Sequence, residues 1–177
     1  MDIFFEQIVV IRKTPVQFLL QLLIALAGSV MIFIFVIGGL VSVLAEFSVL
    51  LFPAACVTGY FVWKLITGFN VEYEYSVTNG YMDIDQIIAQ RKRKRVLAAR
   101  IRDFEAFGVY NDNAQKFAQR SFQTRIMAAS ADAENAWFAE VRTEKTGPTL
   151  LVFEPDERIL GAIKKALPHL LAKSIDA

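Results

Sequence analysis

The chain has 177 residues with 19 Lys+Arg against 18 Asp+Glu, a formal net charge of +1, and 55% of its residues are hydrophobic. That apolar share is too high for an ordinary soluble domain, and the near-neutral balance excludes a strongly basic nucleic-acid binder as a whole. One cysteine, Cys56, excludes an intramolecular disulfide, and its small apolar character is that of a packing residue.

Met1–Thr14 carries Ile3, Phe4, Phe5, Ile8 and Ile11 with Asp2, Glu6 and Gln7 between them. It fits a short helix in the membrane interface or a strand pairing with a later domain, and the first reading is the one taken for residues 1–15. From Val16 to Trp63 the strongly polar side chains are Gln17, Gln21 and Glu46. A bilayer needs about 20 apolar residues per helix, so this run predicts two spans, Phe18–Val43 and Phe47–Leu65, with a turn at Glu46 and Pro53 kinking the second or delaying its start. A cleavable signal competes, because Val43-Leu44-Ala45 resembles a small-residue cleavage site. Its apolar core would far exceed the usual length of about 7–15 residues, and a second apolar segment follows at once.

Arg12 and Lys13 precede the first span and Lys64 ends the second, while the turn between them has no Lys or Arg. The positive-inside rule then places both termini in the cytoplasm of a cell-membrane protein. Gly38 with Ser42 and Ala55 with Gly59 are small residues four apart, a spacing that lets helix backbones approach. Residues 16–68 are thus expected as a transmembrane hairpin and 69–177 as a separate domain.

Val71–Val77 alternates apolar and polar residues, the pattern of a half-buried strand. Thr78-Asn79-Gly80-Tyr81 supplies a hairpin turn, and Met82–Ile88 returns as the second strand. Arg91-Lys92-Arg93-Lys94-Arg95 follows, leaving 14 basic residues against 18 acidic ones in the rest of the chain. As a strand the pentad would carry charge on both faces, so it is expected as a protruding turn or strand extension. Three readings stay open: a solvated tip, a contact with the anionic leaflet at about 1 kcal/mol per basic residue, or a surface for an acidic protein partner. Arg100 and Arg102 extend the patch. The membrane anchor and the lack of a binding motif speak against nucleic acid.

Val96–Ala99 reads as a strand, Ile101–Tyr110 as a less regular one, Asn111–Arg125 as a loop or short helix, and Ile126–Ser130 as a brief strand. Trp137–Glu144 alternates, Lys145-Thr146-Gly147-Pro148 is a turn, and Thr149–Phe153 is a buried strand. After Pro155, Ile159, Leu160, Ile163 and Leu167 recur at helical spacing behind Asp156 and Glu157, which favour a helix start. The fold class is therefore α+β: a two-helix hairpin, then an antiparallel partial barrel closed by a C-terminal helix.

Glu72-Tyr73-Glu74-Tyr75-Ser76-Val77-Thr78-Asn79-Gly80, Asp83-Ile84-Asp85 and Val152-Phe153-Glu154-Pro155-Asp156-Glu157 resemble the bacterial pleckstrin-homology-like (PH-like) membrane proteins. In particular they resemble a two-helix family of Gram-positive bacteria. The resemblance implies the barrel fold and a membrane address, with no activity to transfer. In eukaryotic relatives of that fold the first hairpin loop binds phosphoinositides, and here that loop, Thr78–Tyr81, has no basic residue.

No phosphate loop, nucleophile elbow or Cys/His cluster is present. His169 stands alone, and Asp83 with Asp85 share a strand face beside the basic run, where they balance charge. No catalytic residue, metal or cofactor is expected. The function expected is a membrane-anchored scaffolding module with lipid and an unidentified protein as partners, or else a transport-complex subunit whose hairpin is the working part.

Overall fold

The computed structural model describes residues 4–41, 45–169 and 171. The residues before the first long helix join those after the second in one compact unit, and residues 13–70 form another.

The helical unit consists of α1 (Pro15–Val41) and α2 (Ala45–Gly68), packed along their length. Pro15–Val41 and Val49–Gly68 are each long and apolar enough to cross a membrane. Glu46, expected in the turn, falls in the first turn of α2, and Pro53 lies inside that helix without delaying its start. Gln21 is buried on α1 and donates from Nε2 to the Ile66 carbonyl at 3.0 Å, while Lys13 Nζ donates to its Oε1 at 3.3 Å. The amide supplies a second donor to this helix-end carbonyl, which also accepts from Phe69 N–H at 3.3 Å.

Of the glycines on the two helices Gly28 has the least room, since an added Cβ would stand 2.3 Å from a Val62 methyl carbon. Gly39 faces Phe52, Gly38 faces Leu51, and Gly59 faces Ile32 at looser distances. Ala55 is buried, and Ser42 lies outside the described residues. Gly28 escapes the small-residue spacing because Ile24 and Ile32 occupy the positions four away.

The other unit holds two four-stranded sheets. The first has the order β1 (Phe4–Val10), β2 (Val71–Thr78), β3 (Tyr81–Ile88), β4 (Lys92–Arg100), all antiparallel. The second has the order β5 (Phe104–Val109), β7 (Trp137–Thr143), β8 (Gly147–Phe153), β6 (Thr124–Met127), with β6 parallel to β8. The insertion between β5 and β6 carries α3 (Ala114–Gln119), and α4 (Glu157–Ala166) follows β8.

The N-terminal segment is thus a strand and not the interfacial helix expected of it. Phe5, Val9 and Ile11 pack against the core, and all seven residues of β1 find partners on β2. Ile8-Val9-Val10-Ile11 is a β-branched run that favours a pleated surface over a helix. Gln7 then fastens β1 to the entry of α4: its Nε2 donates to the Glu154 carbonyl at 3.0 Å and its Oε1 accepts from Asp156 N–H at 2.7 Å.

Tyr75, Met82, Ile84 and Leu97 of the first sheet meet Phe153, Leu151 and Val141 of the second, with Ile159 and Ile163 of α4 in the same core. Tyr75 and Phe153 pack edge to face at 5.7 Å. The Tyr75 hydroxyl donates to the Ala128 carbonyl at 2.7 Å, and burial pushes its pKa above the ordinary tyrosine value. The helix α4 starts where expected, with Asp156 Oδ1 accepting from Ile159 N–H at 2.7 Å as an N-cap. It ends at Ala166, before Pro168.

Candidate functional site

Register places the basic run. Val71 pairs with Ile88 and Ile88 with Lys92, so the β3–β4 tip stands at the end of the sheet where the chain arrives from α2 through Phe69 and Asn70. At the usual strand spacing Lys92 lies about 10 Å from Val71 across the sheet. The tip turn puts Ala89 and Gln90 at φ of 54° and 56°, with Arg91 N–H donating to the Ile88 carbonyl at 3.1 Å. Two positive φ values in succession mark a type I′ hairpin turn, ordinarily filled by Asn and Gly. The Asn79–Gly80 turn at the opposite end of β2 has that ordinary filling, with φ of 48° and 82°.

From Lys92 to Arg95 the pentad is strand, paired with Ile88 to Asp85. Its two faces differ. Arg93 and Arg95 lie on the outer face, over a row of carboxylates. Arg93 Nη2 holds Glu74 in a close ion pair, and its Nη1 stands 4.0 Å from Asp85 Oδ2. Arg95 Nε donates to Asp85 at 3.2 Å, and its Nη1 stands 3.5 Å from Asp83.

The carboxylates are the buried partners: the Glu74 and Asp85 side chains keep 9% and 12% of their exposure, against 56% for Arg93 and 59% for Arg95. Burial raises the Glu74 pKa above the ordinary value; Arg93 opposes this, while Glu6 and Asp85 push it further up. The hydrogen bond to Asp85, with the charges of Asp83 and Asp85, holds the Arg95 guanidinium more firmly protonated. Glu74 and Asp85 are direct cross-strand partners, and like charges so placed repel. The arginines remove that repulsion.

On the other face Lys92 and Lys94 are exposed, opposite Ile88 and Gln86, and make no ion pair among the described residues. Arg91 folds back on its own turn, donating from Nε to the Ala89 carbonyl at 3.3 Å. A strand with charge on both faces is therefore accommodated: one face is neutralised by acids and the other runs past the end of the core.

Arg100 and Arg102 do not join this group. Arg100 pairs with Tyr81 at the far end of β4, eight residues from Lys92 or about 26 Å along the strand. Its guanidinium lies 5.7 Å from the centre of the Tyr81 ring. Among the described residues no group of three or more His, Cys, Asp or Glu is placed to hold a metal ion. The residues that sequence reasoning passed over are Glu72 and Glu74. Glu74 holds Arg93, and Glu72 accepts from Gln90 Nε2 at 3.0 Å.

Comparison with curated proteins and with solved structures found no match. The family described as "Bacterial PH-like domain (DUF6106)" matches residues 1–173. PH-like domains are in general non-catalytic interaction modules, and the chain has their two sheets, antiparallel but for the β6–β8 pair, with a helix behind the last strand. The chain belongs to the bacterial PH-like domain family.

Proposed function

We propose that this protein is a membrane-anchored, non-enzymatic interaction module whose β3–β4 tip rests on the anionic surface of the membrane crossed by its helices. The observation that carries this reading is the register Val71–Ile88–Lys92, which puts the tip at the end of the sheet joined to the helical hairpin by two residues. Lys92 and Lys94 are the contact residues, at about 1 kcal/mol each near an anionic leaflet. Arg93 and Arg95 hold the tip in shape.

Strands β1 and β2 flank the hairpin in sequence and pair with each other, so both flanks lie on one side of any membrane the helices cross. The basic residues Arg12, Lys13 and Lys64 make that side the cytoplasm.

The test is limited trypsin digestion of the full chain in lipid nanodiscs. Cleavage within Arg91–Arg95 should be slowed in anionic nanodiscs relative to neutral ones. The protection should fade as salt shortens the screening length to a few ångströms, about 3 Å at 1 M. Equal cleavage in both lipids at low salt would reject lipid contact and leave the tip as a solvated or protein-binding surface.

A further inference from the structure

The two edges of the first sheet are treated differently. Edge strand β4 carries Lys92–Arg95 and a register irregularity opposite Ile84/Asp85, both of which discourage further pairing. Edge strand β1 has seven residues, no Lys, no Pro and an unbroken register with β2. Ile11 N–H donates to the Val71 carbonyl at 3.0 Å, which fixes the alternation of the ladder. Val9, Gln7 and Phe5 turn their backbone groups to β2, and Phe4, Glu6, Ile8 and Val10 turn theirs outward.

The same four residues face outward with their side chains. Phe4, Ile8 and Val10 are 62%, 54% and 65% exposed. Glu6 is exposed and makes no ion pair among the described residues, and Glu72 stands beside Val10 on the same face. A groove at the Val10 end is lined by Arg12, Asp132, Glu134 and Glu154, with Arg12 already held by Asp132 at 2.9 Å. Among the described residues the edge thus offers backbone donors and acceptors without a partner, an apolar row and an excess of negative charge.

We infer that the β1 edge is a docking site for an extended segment of a partner protein in which basic and apolar residues alternate, added to the sheet as a fifth strand. Main-chain bonds to Glu6, Ile8 and Val10 supply affinity, and the alternate side chains supply selection. Apolar residues of the segment lie beside Phe4, Ile8 and Val10 on the outer face, and the basic ones, pointing to the opposite face, meet Asp132, Glu134 and Glu154 of the groove. Two copies meeting β1 to β1 would bring Glu6 and Glu72 of both together, so the charges favour a basic partner.

The probe is a fluorescent seven-residue peptide alternating Lys and Val, matched to the seven residues of β1, with full-length protein in neutral nanodiscs so that the basic tip has no anionic lipid to hold. Fluorescence anisotropy should show saturable binding. A peptide of the same composition with its Lys and Val in separate blocks should bind about tenfold more weakly, as should a Glu–Val alternation. Ile8→Pro removes an outward N–H without touching the ladder to β2 and should weaken binding about fivefold. Val10→Lys, which installs the lysine that guarded edges carry, should do the same and stands in if Ile8→Pro lowers the thermal midpoint. Equal binding of the block peptide, or unchanged binding by a folded Val10→Lys variant, would overturn the assignment. So would nanodiscs that hold two copies joined through β1 and exclude the peptide.

Discussion

Two double substitutions within the basic tip should have opposite consequences. Lys92→Ala with Lys94→Ala removes charge that no acid neutralises, so the fold should be unaffected and the protection of the tip by anionic lipid should disappear. Arg93→Ala with Arg95→Ala leaves Glu74 and Asp85, both largely buried, facing each other without a cation. A fully buried pair broken on one side costs about 3–5 kcal/mol. Both arginines are more than half exposed, so solvent screening lowers the figure to about 2–3 kcal/mol for the pair. In a unit of about 120 residues 1 kcal/mol moves the midpoint by about 4 °C, so a fall of about 8–12 °C is expected.

The assay is thermal unfolding in detergent micelles, read by far-UV circular dichroism in the strand region, beside trypsin protection in nanodiscs. The pH dependence supplies a further check. The Glu74 pKa is raised in the folded protein by burial, and loss of Arg93 raises it more. Folded protein then binds more protons than unfolded protein, so stability falls as pH rises from the unfolded value near 4.5 through the folded value. The arginine variant should therefore recover part of its deficit as pH is lowered through that window. If the two doubles shift the midpoint equally, or if the arginine deficit grows on acidification, the division of the tip into structural arginines and contact lysines is wrong.

Gly28→Ala should destabilise the helical hairpin by about 1–3 kcal/mol, because the new Cβ collides with Val62. Val62→Ala in the same chain should restore resistance to SDS unfolding, whereas Gly38→Ala, with its nearest atom at 3.5 Å, should be tolerated. Asp156→Ala should cost about 1 kcal/mol through loss of the α4 cap, measured by denaturant titration, and Asp156→Asn should retain most of it. Burial works to raise the Asp156 pKa, but hydrogen bonds from Ile159 N–H and Arg158 outweigh it and the net direction is down. Its contribution should therefore be complete above about pH 4 and be lost as pH falls below the unfolded value of 3.8, a dependence the Asn variant should lack.

Strands β2 and β3 were legible because alternation and the Asn79–Gly80 turn agree, and that turn alone puts Glu74 opposite Asp85. The need for a nearby cation followed from those two facts. That Asp83 and Asp85 balance charge in the basic run was also legible; that Arg93 serves Glu74 and Arg95 serves Asp83 and Asp85 was not, because Ala89-Gln90 gives no turn signal and the register of β4 slips opposite Ile84/Asp85. The strand β1 was legible only as the second of two readings, for another reason. With Phe4, Ile8 and Val10 apolar on its outer face as well, the segment lacks the alternation that marks a half-buried strand. Gly28 was hidden because its contact is one glycine against one valine, without a small residue a turn away.

Pairing of β1 with β2 also bears on biogenesis. The ribosome releases β1 some sixty residues before its partner, and both long helices are made in between. During that interval the first strand has neither neighbour nor core, and its apolar faces are open to chaperones or to the bilayer surface. If the helices cross a membrane as proposed above, the sheet can form only once the second helix has returned the chain to the side of β1. Pairing of β1 with β2 would then report correct insertion, and a molecule whose second helix failed to cross would be left with an unpaired β1.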